Sequence, residues 1–263
     1  MSLAALLAGE PPSCADPGLA VADLAELSCR GGWPAQLERP VGAACRAARD
    51  YLEQVRQVDV QRLDGRRRDR QRLGALLRSL GRNVATEVNL TTLAADAGGA
   101  DGPLDPRTVA DHLQALERLM VLENQPAWRP HLRSKAALRQ APRRHFCDPS
   151  LAVAALGGSP DRLLKDLEWL GLLFESLLIR DLRVLAQALD GEVYHYRDDY
   201  GVAVDLIVQL RDGRWGAIEI KLGPGQVESA AARGDGSLPR QPRLTPHTAP
   251  AAPPHSPPPR PAR

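Results

Sequence analysis

Apolar residues recur at helical spacing through most of the first 190 positions, then give way to strict alternation over the next thirty. Leu19 to Leu27 carries a helical pattern, and so does Val41 to Val58, where Ala44, Ala47, Ala48, Tyr51, Leu52, Val55 and Val58 share a face. Between them Gly31-Gly32-Trp33-Pro34 reads as a turn. Asp69 to Val84 predicts a helix with Leu73, Leu76, Leu77 and Leu80 on one side. A short helix follows at Leu90 to Ala97, with Asn89 or Thr91 as its cap. Asp105-Pro106 opens a third, reaching about Leu119, with Asp105 as cap and Pro106 at the first helical position. An extended stretch from Met120 to Glu123 and a returning strand from Arg144 to Cys147 complete the outline of a winged helix-turn-helix. Helices are then expected at Asp148 to Leu156 and, continuously, at Pro160 to Leu189. Three strands follow, Glu192 to Arg197, Val202 to Leu210 and Arg214 to Lys221, with Asp212-Gly213 marking a hairpin.

From Pro224 onward the pattern is lost. Val227, Leu238 and Leu244 are the only large aliphatics among the last forty residues, which also hold nearly half of the 23 prolines. Such a segment buries too little to offset its ordering entropy, so a disordered Pro-rich tail is expected at 224–263. Composition adds exclusions. Lys and Arg number 34 against 32 Asp and Glu, a net charge of +2, which removes any whole-chain electrostatic argument for nucleic acid or membrane. Cys14, Cys29, Cys45 and Cys147 show no metal-ligand or small-scaffold spacing. No membrane span and no signal peptide are legible, so a reduced, cytoplasmic protein is the expectation. The three lysines, Lys135, Lys165 and Lys221, never follow glycine. A P-loop is therefore missing, and the chain has no ATP site of that kind.

The chemistry-bearing candidates cluster late in the chain. Asp205 interrupts an apolar strand, where an unpaired carboxylate is costly. Glu219 and Lys221 share one face of the following strand, opposite Ile218, Ile220 and Leu222. Two carboxylates that hold Mg²⁺, with a lysine beside them, form the constellation of a metal-dependent phosphodiesterase. Asp205 and Glu219 are thus candidate metal ligands and Lys221 a candidate catalytic group. The alternative is a cross-strand ion pair. Glu175, in the middle of an apolar helix, is a second catalytic candidate. Its alternative is an ion pair with Arg180 or Arg183. The acid-free basic run that includes Arg133, Lys135, Arg139, Arg143 and Arg144 is a candidate nucleic-acid surface, although aromatic residues are sparse within it. A solvated arginine-rich loop or a protein-docking surface is the other reading. The arginines from Arg62 to Arg72 read as a solvated linker or a phosphate-contacting arm. His112, His131, His145 and His195 have no ligand spacing.

The collinear order of several short pieces resembles a known family. These are Gly31-Gly32-Trp33-Pro34, Asp50-Tyr51-Leu52, Leu76 to Leu80, Thr108-Val109, Leu116-Glu117, Arg144 to Leu151, Leu170 to Glu175, Tyr196-Arg197, Asp205 and Glu219-Ile220-Lys221. Over residues 1 to 223 the chain is similar to the C-terminal part of prokaryotic AAA-type ATP-binding proteins carrying the domain of unknown function 4143. The resemblance implies an α+β chain in four parts: a helical lid remnant at 1–60, a winged-helix-like module at 61–147, an incomplete restriction-endonuclease-like α/β domain at 148–223, and the tail at 224–263. It implies that Asp205 and Glu219-x-Lys221 match a PD-(D/E)xK motif and that Glu175 matches the acidic position of the preceding helix. Three departures accompany it. The ATPase core is missing, the usual Glu-hydrophobic-Asp reads Ala203-Val204-Asp205, and the fold loses its continuation after Gly223, as a change of reading frame would produce. The expected function is accessory, with nucleic-acid or protein contacts or self-association and no catalysis. The alternatives are a Mg²⁺-dependent nuclease and a truncated fragment without function.

Overall fold

The computed structural model describes residues 2–11, 18–63, 65–66, 68–99, 102–128, 141–198 and 202–222. The expected tail, Arg133, Lys135 and Arg139 lie outside them. The chain is α+β, dominated by helices, with two small antiparallel sheets. Among the described residues ten α-helices run in order: α1 (Leu3–Leu7), α2 (Val21–Arg30), α3 (Val41–Gln54), α4 (Val60–Arg62), α5 (Arg70–Arg82), α6 (Leu90–Gly98), α7 (Pro106–Arg118), α8 (Pro149–Ala155), α9 (Pro160–Leu163) and α10 (Leu167–Gln187). The strands are β1 (Leu122–Gln125), β2 (Arg143–Phe146), β3 (Gly191–Arg197), β4 (Ala203–Leu210) and β5 (Trp215–Ile218). A wider π-type turn, Val55–Asp59, carries α3 into α4.

Side-chain caps set half of these starts. Asp69 accepts the N–H groups of Gln71 and Arg72, Asn89 that of Thr92, Asp105 that of Arg107 and Asp148 that of Ser150. Each satisfies helix-end donors that would otherwise lack partners. Asp166 does the same for Trp169 and so starts α10 afresh. The continuous helix expected from Pro160 therefore divides into α9 and α10. The strand expected from Met120 begins instead at Leu122. Met120 takes a left-handed φ of 55°, its N–H returns to Glu117 O, and its side chain is 78 % exposed, closing α7 rather than opening β1.

Two apolar cores share one helix. The first gathers Leu73, Leu76 and Leu80 of α5, Leu93 of α6, Val109 and Leu116 of α7, Phe146 and Leu151, and takes Leu170 and Leu173 from the start of α10. The second takes Ile179 and Ala186 from later in α10, with Val193, Leu206, Val208 and Leu210 of the three-stranded sheet. Leu3 and Leu7 of α1, which the resemblance groups with the lid remnant at 1–60, pack into this second core and close it. The sheet order is β3-β4-β5, with a bulge between Tyr194 and Tyr196. The β1-β2 ribbon joins this sheet along the β3 edge, where Trp128 N donates to His195 O and His195 N to Pro126 O.

The Gly31-Gly32-Trp33 turn is tied to α8 and α10 through Asp148. One carboxylate oxygen accepts from Gly32 N and from the Arg180 guanidinium, the other from Ser150 N and Ser150 Oγ. Trp33 Nε1 donates to Ser150 Oγ at 3.0 Å. Gly31 lies at φ 71°, ψ −179°, a region essentially reserved for glycine. A β-carbon added there would also lie 2.3 Å from Asp148 Oδ1. Gly31→Ala is expected to cost at least about 2 kcal/mol. Gly157, at φ 62° with nothing within 4 Å of the added atom, should cost only about 1 kcal/mol when changed to Ala. Urea unfolding of both variants checks this, and equal losses would contradict the role given to Asp148.

Candidate functional site

Asp205 lies in the middle of β4, Glu175 in the middle of α10, and Arg143 opens β2. Arg143 Nη1 donates to Glu175 Oε1 at 2.7 Å and lies 3.5 Å from Asp205 Oδ1. Asp205 Oδ2 accepts from Lys221 Nζ at 3.2 Å and from Ile220 N at 3.0 Å. That last bond explains why β5 is shorter than the strand expected at Arg214 to Lys221. The β4-β5 ladder ends at Leu206 opposite Ile218, and Ile220 N–H turns to the Asp205 side chain. Lys221 Nζ also ion-pairs with Glu219 Oε1 at 2.8 Å. Asp205 and Glu219 therefore meet through Lys221, with Glu219 on the rim, its side chain 41 % exposed. The five side chains form one line of alternating sign, Glu175, Arg143, Asp205, Lys221, Glu219. Desolvation works against the charge of Lys221, but its ion pairs with Glu219 and Asp205 outweigh it and hold the ammonium above its ordinary pKa.

Behind this line is a buried polar relay. Gln125 Nε2 donates to the backbone oxygens of Tyr194 and Asp205, so its Oε1 remains as acceptor. His145 Nε2 lies 3.2 Å from that oxygen and His145 Nδ1 3.1 Å from Ser176 Oγ. The consistent assignment is a neutral imidazole protonated at Nε2, with Ser176 donating to Nδ1. Burial, with Arg183 and Arg143 nearby, pushes His145 down to about 3. His195 is likewise pushed down, to about 4, by burial and Arg143. The Glu87 carboxylate faces three basic side chains, with His195 Nδ1 at 3.7 Å and Arg143 Nε and Arg197 Nη1 each at 3.9 Å.

Of the basic run, Arg143 and Arg144 point inward. Both are 8 % exposed, and Arg144 Nη1 donates to Val88 O at 2.6 Å. All four residues of β2 are buried, because the strand is packed on by α5 and α8 and meets α10 across the cluster. The arginines before α5 are joined to α7: Arg66 and Arg68 both ion-pair with Asp111, at 2.7 and 2.9 Å. A polar cavity of about 370 Å³ lined by Arg66, Arg68, Asp111, Gln114 and Arg118 lies there, apart from the carboxylate cluster. Among the described residues no group of three or more His, Cys, Asp or Glu is placed to hold a metal. No helix among them is long and apolar enough to cross a membrane.

The model of a family described as domain of unknown function DUF8612 matches residues 21–162, more than half of the 263-residue chain. The chain belongs to the DUF8612 family. A second model, domain of unknown function DUF4143, matches residues 170–236. That match begins inside α10, later than the expected start at Asp148, and runs past the last described residue. No curated protein and no solved structure matches the chain. The two matched regions meet at the charged cluster. Glu87, Gln125, Arg143 and His145 come from the DUF8612 region, and Glu175, His195, Asp205 and Lys221 from the DUF4143 region. Sequence reading brought Asp205, Glu219 and Lys221 together but gave no sign that Arg143 joins them, because a basic residue in a basic run carries no mark of its direction. Gln125, Glu87 and Ser176 were missed for the same kind of reason, since their roles are set by neighbours remote in sequence.

Burial, and then the nearby Asp205 charge, raise Glu175 to about 7, and Arg143 offsets only part of that shift. In the unfolded chain the same carboxyl releases its proton near the ordinary value of 4.5. Between these values the folded state holds more protons than the unfolded one, so this group's contribution to stability falls as pH rises. The stability of the wild type relative to Glu175→Gln should therefore drop by about 1 kcal/mol or more between pH 5 and pH 8. His145 and His195 act on the acid side and cancel in the comparison. Urea unfolding at the two pH values checks it, and a difference that stays level or rises with pH would contradict the assignment.

Proposed function

We propose that this chain is a non-catalytic accessory module, akin to the C-terminal part of AAA-type ATP-binding proteins, that works through contacts with nucleic acid or a partner protein. The observation that carries this reading is the Arg143 guanidinium between Glu175 and Asp205. A divalent ion needs oxygen ligands with their charge available to it. Here Asp205 is shared between Arg143 and Lys221, Glu175 is bound by Arg143, and Glu219 is held by Lys221. The residues as arranged do not fit a Mg²⁺ ion. Three helices followed by a two-stranded ribbon, α5 to β2, support the winged-helix-like reading of the DUF8612 region. Arg133, Lys135 and Arg139 remain the proposed phosphate contacts of the segment between β1 and β2.

One observation favours the competing reading of a PD-(D/E)xK-type nuclease. Asp205, Lys221 and Glu175, remote in sequence, do converge in a single cluster, as a restriction-endonuclease-like site requires. The two readings separate in a cleavage assay with Mg²⁺ and with Mn²⁺ on single- and double-stranded DNA and on RNA. The accessory reading expects the wild type to be indistinguishable from Asp205→Asn, with no metal-dependent cleavage. Cleavage by the wild type that is lost in Asp205→Asn would overturn it.

A further inference from the structure

The face of the three-stranded sheet that carries Ile207 and Gln209 holds a group of rings that neither core includes. Trp128, which follows the β1-β2 ribbon's first strand, packs 4.6 Å from Trp215 of β5 and 5.9 Å from Tyr196 of β3, centroid to centroid. Its Nε1 donates to Gln209 Oε1 at 2.9 Å, which fixes the indole against β4. The strand register sets Gln209 opposite Trp215, and Ile207 opposite both Tyr194 and Ala217, so the row spans all three strands. The chain has only ten aromatic residues (4 Trp, 4 Tyr and 2 Phe), and three of them meet outside the cores, with Trp128 bridging Tyr196 and Trp215. All three residues are half-buried.

Along the sequence, the charge that follows Trp128 has one sign, although Glu192 of β3 lies opposite Gln209 on this face. The chain leaves Trp128 into residues 129–140, which contain Arg129, Arg133, Lys135 and Arg139 and no acid. At the other end Arg197 follows Tyr196 directly, with its side chain 59 % exposed and its Nη1 3.9 Å from Glu87 Oε1. Flat rings fixed on a sheet, with a basic run continuing in sequence from one of them, suit a ligand that is planar and anionic at regular intervals. Unpaired nucleobases on a phosphate backbone have that chemistry, and every base presents a face that can stack on an aromatic ring.

We propose that Trp128, Tyr196 and Trp215 form a stacking platform for single-stranded nucleic acid. This rests on the accessory reading above and names its partner class. The sequence did not show it, because the rings come from three places more than ten residues apart, and only Trp128 adjoins the basic run.

The test titrates the full chain with an oligothymidylate of about twelve nucleotides in EDTA, following tryptophan fluorescence. Trp33 and Trp169 give a background, since both are hydrogen-bonded next to the first core. Saturable quenching is expected, with affinity about tenfold weaker in Trp215→Leu and in Tyr196→Leu, each checked for folding by circular dichroism. Inorganic polyphosphate should bind without quenching. The proposal is overturned if the oligonucleotide does not bind, if folded variants bind it as tightly as wild type, or if polyphosphate and a duplex quench equally. Should neither variant fold, the comparison of quenching by oligonucleotide and polyphosphate in the wild type decides it. EDTA removes metal-dependent cleavage, so failure here leaves the non-catalytic reading standing, and cleavage found separately with Mg²⁺ would leave the platform standing.

Discussion

A guanidinium that must neutralise one buried and one part-buried carboxylate governs the junction of this molecule. Glu175 and Asp205 come from different elements, and burial alone would force a proton onto Glu175. Arg143 answers both at once, from a strand that belongs to the other half of the chain. Removing one partner of such a buried group leaves an uncompensated charge, which is far costlier than the intact pair is stabilising. The cluster therefore specifies how the halves meet more than it adds net stability. Lys221 extends the neutralisation to the surface, and the Asp205 side chain captures the Ile220 N–H that would otherwise extend the ladder. The polar relay from Gln125 through His145 to Ser176 holds β1, β2 and α10 around it with every hydrogen bond assigned.

The same junction is reinforced mechanically. Helix α10 contributes its first turns to one core and its later turns to the other, so the halves share a rigid element rather than a linker. Asp148, with its two oxygens taking four donors, fixes the glycine turn and α8 to that helix through Arg180. The ribbon then reaches across to the edge of β3 with backbone hydrogen bonds on either side of His195. An edge strand closed in this way is protected from pairing with other chains. Trp128 sits at the end of this contact, which places the aromatic face on the sheet that holds Asp205.

Most helices were legible because their signals are local. Asp69, Asn89, Asp105 and Asp148 cap the helices that periodicity predicted, and the Asp212-Gly213 hairpin closes as its residues demand, with Gly213 at φ 91°. The errors have physical causes. Asp166 is a cap inside an apolar run, and the run's continuity hid it. Met120 looked like a strand residue by type, yet it closes a helix in the left-handed region. The strand expected after the hairpin overruns the observed one by three residues at its C-terminal end, because alternation persists through Glu219 and Lys221 after their backbone has left the ladder. Asp205, Glu219 and Lys221 were legible as a group because a charge inside an apolar strand demands a partner. Which partner it takes was not legible, since Arg143 lies 62 positions away.

That choice of partner is what the account stands on. Calorimetric titration of the folded wild-type chain with Mn²⁺, alongside Asp205→Ala, tests it most directly. Protein cations already satisfying the cluster predict no saturable heat in either protein. Saturable binding in the wild type that disappears in Asp205→Ala would show that a metal displaces Arg143, and would contradict the account.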